Sequence, residues 1–295
     1  MLPRKKFKLK LPSRTLILGP QTLVMGVLNV TPDSFSDGGK FLDADRAAEQ
    51  ALRMEAEGAD IIDIGGESTR PGSAAISAQE ELQRILPVLE KLRGNLRIPI
   101  SIDTSKAEVA DAAAAAGAEL LNDVTALRAD PALADVARRR KLPLILMHMR
   151  GNPRTMQKMP FARNVLRDVT AGLRRAVAVA RRAGVAKSQI ILDPGLGFGK
   201  NYEQNYELLA RLPELARLDY PLLVGSSRKS FIGRALGGGA GVEDRAWGTA
   251  ATVAAAILGG AHIVRVHDVA EMAQVALVTD AVLNRGVFAP ERPPR

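Results

Sequence analysis

Three positions carry the clearest chemical signal. Asp103, Asn122 and Asp193 each stand at the end of a short apolar run, in IPISIDT, ELLNDV and IILDPG. A buried Asp is costly unless it is paired or hydrogen-bonded. A ligand with a row of N–H donors would satisfy all three positions. Lys229, in GSSRKSFIG, adds a cationic donor; the plainer alternative is an internal Asp–Lys salt bridge. A second group is cationic: Arg70, Lys229, Arg265 and His267. The RVH triplet places Arg265 and His267 on one face of a strand. Both side chains bind anions, Arg bidentately. His148 lacks such a partner and His262 sits at a strand start, so both read as structural histidines. No nucleophilic triad or HExxH motif occurs, and three scattered His residues give no zinc spacing. Asn29 with a substrate phosphate would suffice for Mg²⁺, which needs few protein ligands when phosphate oxygens are present.

These residues must be delivered by strands. Eight apolar runs fall at 23–30, 60–66, 98–104, 119–124, 143–149, 190–195, 221–227 and 263–269, and each ends in polar residues. Helix capping accounts for one such end, not for all eight. The near-continuous apolar character of the runs suits parallel strands covered on both faces. Amphipathic stretches fill the gaps, among them 43–58 and 78–93, the latter with Ser77 as N-cap, Glu80 three residues on, and Pro87 inside. Eight βα units predict a closed (β/α)₈ TIM barrel of the α/β class, with function on the loops after the strands. A doubly wound open sheet is the alternative. Two loops, 31–41 and 67–77, are rich in Gly, Ser and Asp, as loops that close over substrate are. LDPGLGFGK has three glycines but not the GxxxxGK[ST] spacing of a phosphate loop; its Phe198 offers an aromatic face to a ring.

The bulk numbers agree. The 295 residues hold a barrel of ~250 residues as one unit. Without cysteine there is no disulfide framework, thiol nucleophile or thiolate metal site. The net charge is +9, but six positive residues lie in the first fourteen positions, and the rest of the chain has an excess of only +3. We expect residues 1–14 to be a basic, solvated tail and 15–290 the barrel, with 15–20 (TLILGP) a short arm under its floor. With 4% aromatic residues and the charge in the tail, nucleic acid is not the expected partner. No apolar segment is long enough to span a bilayer, so a cytoplasmic protein is expected.

The segments MGVLNVTPDSFSDGG, DIGGESTRPG, SIDTSKAEVA, LLNDVTAL, ILDPGLGFGK, GSSRKSFIG and RVHDV, in this order, resemble the dihydropteroate synthase family of pterin-binding barrels. The resemblance spans roughly residues 23–285. It implies condensation of 6-hydroxymethyl-7,8-dihydropterin pyrophosphate with 4-aminobenzoate. It places Asp103, Asn122, Asp193 and Lys229 on the pterin, Asn29 on Mg²⁺, and Arg265 and His267 on the pyrophosphate. It also places Thr69, Arg70, Pro71, Phe198 and Ser230 around the aminobenzoate, with Phe35 and Asp37 in the first closing loop. Lys229, Asp103, Arg265 and His267 are the residues it assigns to catalysis. The family is usually homodimeric, and the apolar final helices are a candidate interface. A pterin-dependent methyltransferase and a silent pterin-binding paralogue are the rival readings; STRPG and SRKSF speak against the first.

Overall fold

The computed structural model describes residues 4–31, 40–68, 72–152, 155–156 and 161–286. A hairpin, β1 (Phe7–Lys10) and β2 (Thr15–Leu18), precedes eight parallel strands: β3 (Leu23–Asn29), β4 (Ile61–Gly65), β5 (Ile100–Asp103), β6 (Leu120–Asp123), β7 (Leu144–Met147), β8 (Ile190–Asp193), β9 (Leu223–Val224) and β10 (Ile263–Val266). The pairing order β8-β7-β6-β5-β4-β3-β10-β9 is completed by a bridge from Leu192 to Leu222, which closes the barrel. The helices between are α1 (Lys40–Glu57), α2 (Ala78–Leu92), α3 (Ala107–Ala115), α4 (Leu133–Arg140), α5 (Val165–Arg182), α6 (Tyr202–Ala210), α7 (Leu212–Ala216), α8 (Ser230–Ala235), α9 (Ala246–Leu258) and α10 (Val269–Leu283).

Successive side chains of a strand point to opposite faces, and here that alternation builds two cores. Outward residues such as Val24, Ile62, Ile64, Leu121, Leu146 and Leu192 pack under the helices. Inward residues Met25, Ile61, Leu120, Ile145, Ile191, Leu223 and Ile263 form an apolar floor, with Leu9, Leu11 and Leu18 of the hairpin beneath it. Two positions further along the same strands the inward residues become Asp63, Asn122, Met147, Asp193, Gly225 and Arg265. The polar layer of the barrel therefore rests on a dry, apolar one.

The expected barrel is present, and the structure departs from expectation at three places. Residues 4–14 are not a solvated tail. Phe7, Leu9 and Leu11 alternate with exposed lysines and bury one face of β1 on the barrel floor. Arg4 is held by the Asp280 carboxylate, the Ala261 carbonyl (2.7 Å) and Thr22 Oγ1. The run 221–227 gives only a two-residue strand, because Pro221 has no N–H and the chain turns irregular from Gly225. The amphipathic stretch NYELLARLPELARL (205–218), which reads as one helix, falls on two, broken at Arg211 with Pro213 in the first turn of α7. Ser77 does cap α2, accepting from Glu80 N at 3.1 Å, and α2 continues through Pro87.

His262 belongs to the floor, as its position at a strand start implied. Its Nδ1 accepts from Leu222 N (3.2 Å), Nε2 donates to Lys5 O (3.0 Å), and its ring meets Phe7 edge-on. Burial holds its pKa down at about 4, so the folded ring is neutral. The unfolded ring takes up a proton near 6.5 and the folded one does not, so this contribution is complete above that pH and is lost as pH falls towards 4. At 1.36 kcal/mol per unit this is roughly 3 kcal/mol. Thermal melts of wild type and His262→Gln between pH 7 and 4 should show a steeper acid loss in the wild type; parallel curves would remove His262 as the cause.

Candidate active site at the barrel mouth

The polar layer is one connected network. Asp63, fully buried in the middle of β4, accepts from Asn122 Nδ2 (2.9 Å) and Arg265 Nε (2.6 Å) through the same oxygen, Oδ2. Arg265 Nη2 reaches on to Asp103 Oδ2 at 3.0 Å. The internal salt bridge of the site is therefore Asp–Arg, twice over, rather than Asp–Lys. A charge taken out of water needs such a partner and further hydrogen bonds, yet three oxygens of this network are buried with no partner: Asp63 Oδ1, Asn122 Oδ1 and Ser101 Oγ, the last directly opposite Asp63 on β5. Burial pushes the Asp103 carboxyl up to about 7, against the pull of Arg265 and with the push of Asp63, Glu81 and Asp123.

Asp193 ends β8 at the same level. Its Oδ1 accepts from Gly195 N at 2.7 Å, and burial raises its pKa to about 6 against the pull of Lys229, Lys200 and Arg265. The following loop is wedged against the strand-β7 loop. Gly195, at φ +66°, leaves room for a Cβ only 2.0 Å from His148 O, and Gly199, at +68°, only 2.5 Å from Arg150 O. Lys200 locks this contact. Its buried ammonium donates to Gly195 O (2.8 Å), Phe198 O (3.1 Å) and His148 O (3.2 Å), with His148 Nδ1 also at 3.2 Å. His148 is thus structural; burial and the nearby Lys200, Arg128, Arg175 and Arg150 drive its pKa down to about 2. The locked loop holds the Phe198 ring 4.1 Å from Lys229 Nζ, a cation–π contact. Phe198 also packs on Val124, Met147, Met149 and Met156, an apolar wall on that side of the mouth. Burial lowers the Lys229 pKa to about 8.

Between β9 and α8, Ser227 Oγ accepts from His267 N (3.2 Å) and lies 3.0 Å from His267 Nδ1. The hydroxyl, with one hydrogen and two lone pairs, can pair with Nδ1 in either tautomer, and the two contacts together fix the orientation of the ring. Burial, with Arg265, Arg228 and Lys229 nearby, lowers the His267 pKa to about 3, so the ring is neutral at pH 7. Arg265 and His267 do share a face, but the guanidinium is gripped from below by two carboxylates. Ser230 is the exposed first residue of α8, directly after Lys229.

Asn29, half-buried at the end of β3, is the residue expected to meet a metal. Among the described residues no group of three or more His, Cys, Asp or Glu side chains forms a metal site. One neutral oxygen fits a cation whose other ligands are phosphate oxygens and water. Phe35, Asp37, Thr69, Arg70 and Pro71 lie outside the described residues. At the stem of the 67–77 loop, Lys106 joins Glu67 to the buried Glu81, and Arg84 donates to Gly66 O at 2.7 Å. Sequence reading did not single out Asp63, Lys106 or Lys200. Asp63 and Lys200 each stand as one charged residue in an apolar or glycine-rich run, which was the available signal.

Fold and site define a (β/α)₈ barrel with a buried, partly satisfied polar network at its mouth. The model of the pterin binding enzyme family matches residues 25–267. Dihydropteroate synthase from Synechocystis is 53% identical over 264 residues, covering 90% of this chain and 91% of that protein. Among solved structures, the Yersinia pestis dihydropteroate synthase in a sulfonamide drug complex superposes with a TM-score of 0.88 at 44% identity, covering 94% of this chain and all of the other. The Xanthomonas albilineans dihydropteroate synthase with 4-aminobenzoic acid gives 0.87 at 43%, covering 94% and 98%. The chain belongs to the dihydropteroate synthase family.

The packing of the two loops makes Gly195→Ala informative. A Cβ there collides with His148 O and demands a strained backbone, at a cost of about 1–3 kcal/mol. We expect a lower melting temperature together with at least a tenfold loss of activity, since Asp193 and Phe198 sit on that loop. Calorimetry and steady-state assays on the purified variant check both.

Proposed function

We propose that the barrel mouth condenses 6-hydroxymethyl-7,8-dihydropterin pyrophosphate with 4-aminobenzoate, giving 7,8-dihydropteroate and pyrophosphate by an SN1-like substitution. The observation that carries this reading is the set of acceptors around one rim: Asp103, Asp193 and the unpartnered Oδ1 of Asn122. A pterin edge presents N–H and NH₂ donors, and hydrogen bonds to charged groups contribute about 1.5–3 kcal/mol each. The 4-aminobenzoic acid bound by the Xanthomonas relative supports the second substrate.

In this mechanism the bond between the exocyclic methylene and the pyrophosphate oxygen breaks first, and its electron pair leaves with pyrophosphate. Positive charge appears on the methylene and spreads into the dihydropterin ring. Ionised Asp193 and Asp103 stabilise that charge in a site with an apolar floor, where such interactions are strong. Lys229 donates to the ring carbonyl and ring nitrogen, and Phe198 holds its ammonium in place. His267, its ring oriented by Ser227, donates to the leaving group, and a bound pyrophosphate raises its affinity for a proton. Arg265 adds the second donor. A Mg²⁺ ion shared by Asn29 and the pyrophosphate would neutralise charge on the leaving group. The aniline nitrogen then attacks the methylene and loses its proton. An aniline is a free base at neutral pH, so no strong general base is needed. Ser230 and Phe198 line the side from which aminobenzoate approaches, with Thr69, Arg70 and Pro71 assigned to the same pocket and Phe35 and Asp37 to the first loop.

Asp193→Asn and Lys229→Ala should each reduce turnover by two or more orders of magnitude while circular dichroism and melting stay near wild type. Turnover close to wild type in either variant would sink the pterin assignment.

The assembly is a homodimer on this reading, and the compartment the cytoplasm. No helix among the described residues is long and apolar enough to cross a membrane. Trp247 and Leu258 on α9, with Leu277, Val278 and Val282 on α10, form an exposed apolar face, Trp247 being 87% exposed. Contiguous apolar faces of this kind mark interfaces. Val278→Glu should convert a dimer to a monomer by light scattering; a monomeric wild type would dismiss the proposal.

A further inference from the structure

We propose that Asp63 is a positioning residue: its buried carboxylate sets the polarity of the Asn122 amide and the seat of Arg265, and thereby the hydrogen-bond pattern the mouth offers a ligand. The inference rests on the pterin reading above.

Asp63 lies two residues before the end of β4 and ties three strands together, β4 to β6 through Asn122 and β4 to β10 through Arg265. An ionised carboxylate has acceptors only. The Asn122 amide must therefore turn its NH₂ towards Asp63, because the flipped amide would set oxygen against oxygen. Its Oδ1 is the atom left buried and unpartnered. The rim consequently shows an acceptor, not a donor, at position 122. The same oxygen of Asp63 takes Arg265 Nε, which leaves Nη2 directed at Asp103. Both donors converge on one oxygen, so Asn at 63 could keep the two bonds through its single acceptor while losing the charge, whereas Ala removes the acceptor and the charge together.

A second consequence is electrostatic. The charged groups acting on Asp103 include Arg265 on β10, Asp63 on β4, Glu81 on α2, Asp123 on β6 and Lys229 just before α8; Arg265 and Lys229 favour ionisation and the three carboxylates oppose it. Removing the Asp63 charge takes away one repulsion and releases Arg265 to Asp103. The Asp103 pKa falls, and an acid limb of activity that reports its ionisation moves to lower pH. A merely structural residue would not move that limb.

The test uses the purified full chain. Wild type, Asp63→Asn and Asp63→Ala are compared by melting, by calorimetric binding of a pterin lacking the pyrophosphate, and by the pH profile of kcat/KM. The expected result for Asp63→Ala is a tenfold or greater loss of pterin affinity with a KM for 4-aminobenzoate within about twofold of wild type; Asp63→Asn, which keeps an acceptor for both donors and loses the charge, shows a smaller loss and an acid limb displaced to lower pH. Pterin affinity within twofold of wild type in Asp63→Ala, or an unmoved limb in Asp63→Asn, would overturn the proposal. If neither variant folds, side-chain amide exchange in wild type decides: slow exchange of the Asn122 NH₂ supports the pairing, and exchange at the exposed rate refutes it. A wild type that binds no pterin would refute the functional reading instead, and that outcome is distinct from every variant result.

Discussion

A guanidinium held between two carboxylates, above a buried apolar floor, is the interaction on which the rest of the site depends. Arg265 on β10 bonds Asp63 on β4 and Asp103 on the neighbouring β5. Burying either carboxylate at that depth without a cationic partner would be costly, and so would burying the arginine without them. The arrangement is only half satisfied: the network keeps unpaired oxygens on Asp63, Asn122 and Ser101. A packed core would not retain such atoms. They make sense where a ligand completes the bonding, and they place the stored electrostatic cost where a cationic transition state would relieve it.

The apolar floor is the other half of the same device. Leu9, Leu11 and Leu18 seal the bottom of the barrel against the inward layer that begins with Met25 and Ile61. Without that seal, water entering from below would hydrate Asp63 and return the acids above it towards ordinary behaviour. The hairpin far from the mouth thus sustains the raised pKa values of Asp103 and Asp193. Lys200 does a comparable task from the side. A fully buried ammonium spends its donors on backbone carbonyls and so converts a glycine-rich loop, floppy in isolation, into a rigid bracket for Phe198.

Much of this was legible in the sequence, and the failures have physical reasons. The barrel followed from eight repeats of one pattern, and Asp103, Asn122 and Asp193 were visible because they interrupt apolar runs at their ends. Asp63 was passed over because it sits inside such a run, IIDIGG, where a strand's interior is assumed to be core; period-two counting from Ile61 would have put it in the same inward layer. Lys200 was weighed only against a phosphate-loop spacing, and burial of a lysine among carbonyls is not a sequence pattern. The first fourteen residues were judged by net charge, although FKLKL alternates as a strand does. Their lysines are the outer face of β1, and the inner face is what matters. Residues 32–39 and 69–71, in the two loops expected to close over substrate, lie outside the described residues.

The clasp of Arg4 has a temporal side. Its carboxylate partner, Asp280, lies 276 residues further along the chain. At a ribosomal pace of about 5–20 residues per second, the arginine emerges roughly fourteen to fifty-five seconds before the group that neutralises it is made. Through that interval the hairpin has its apolar face but not its anchor, and the ring of strands has no lid to its last seam. Sealing of the barrel floor therefore waits on α10, and a chain stopped before that helix would leave the apolar face of the hairpin without its anchor.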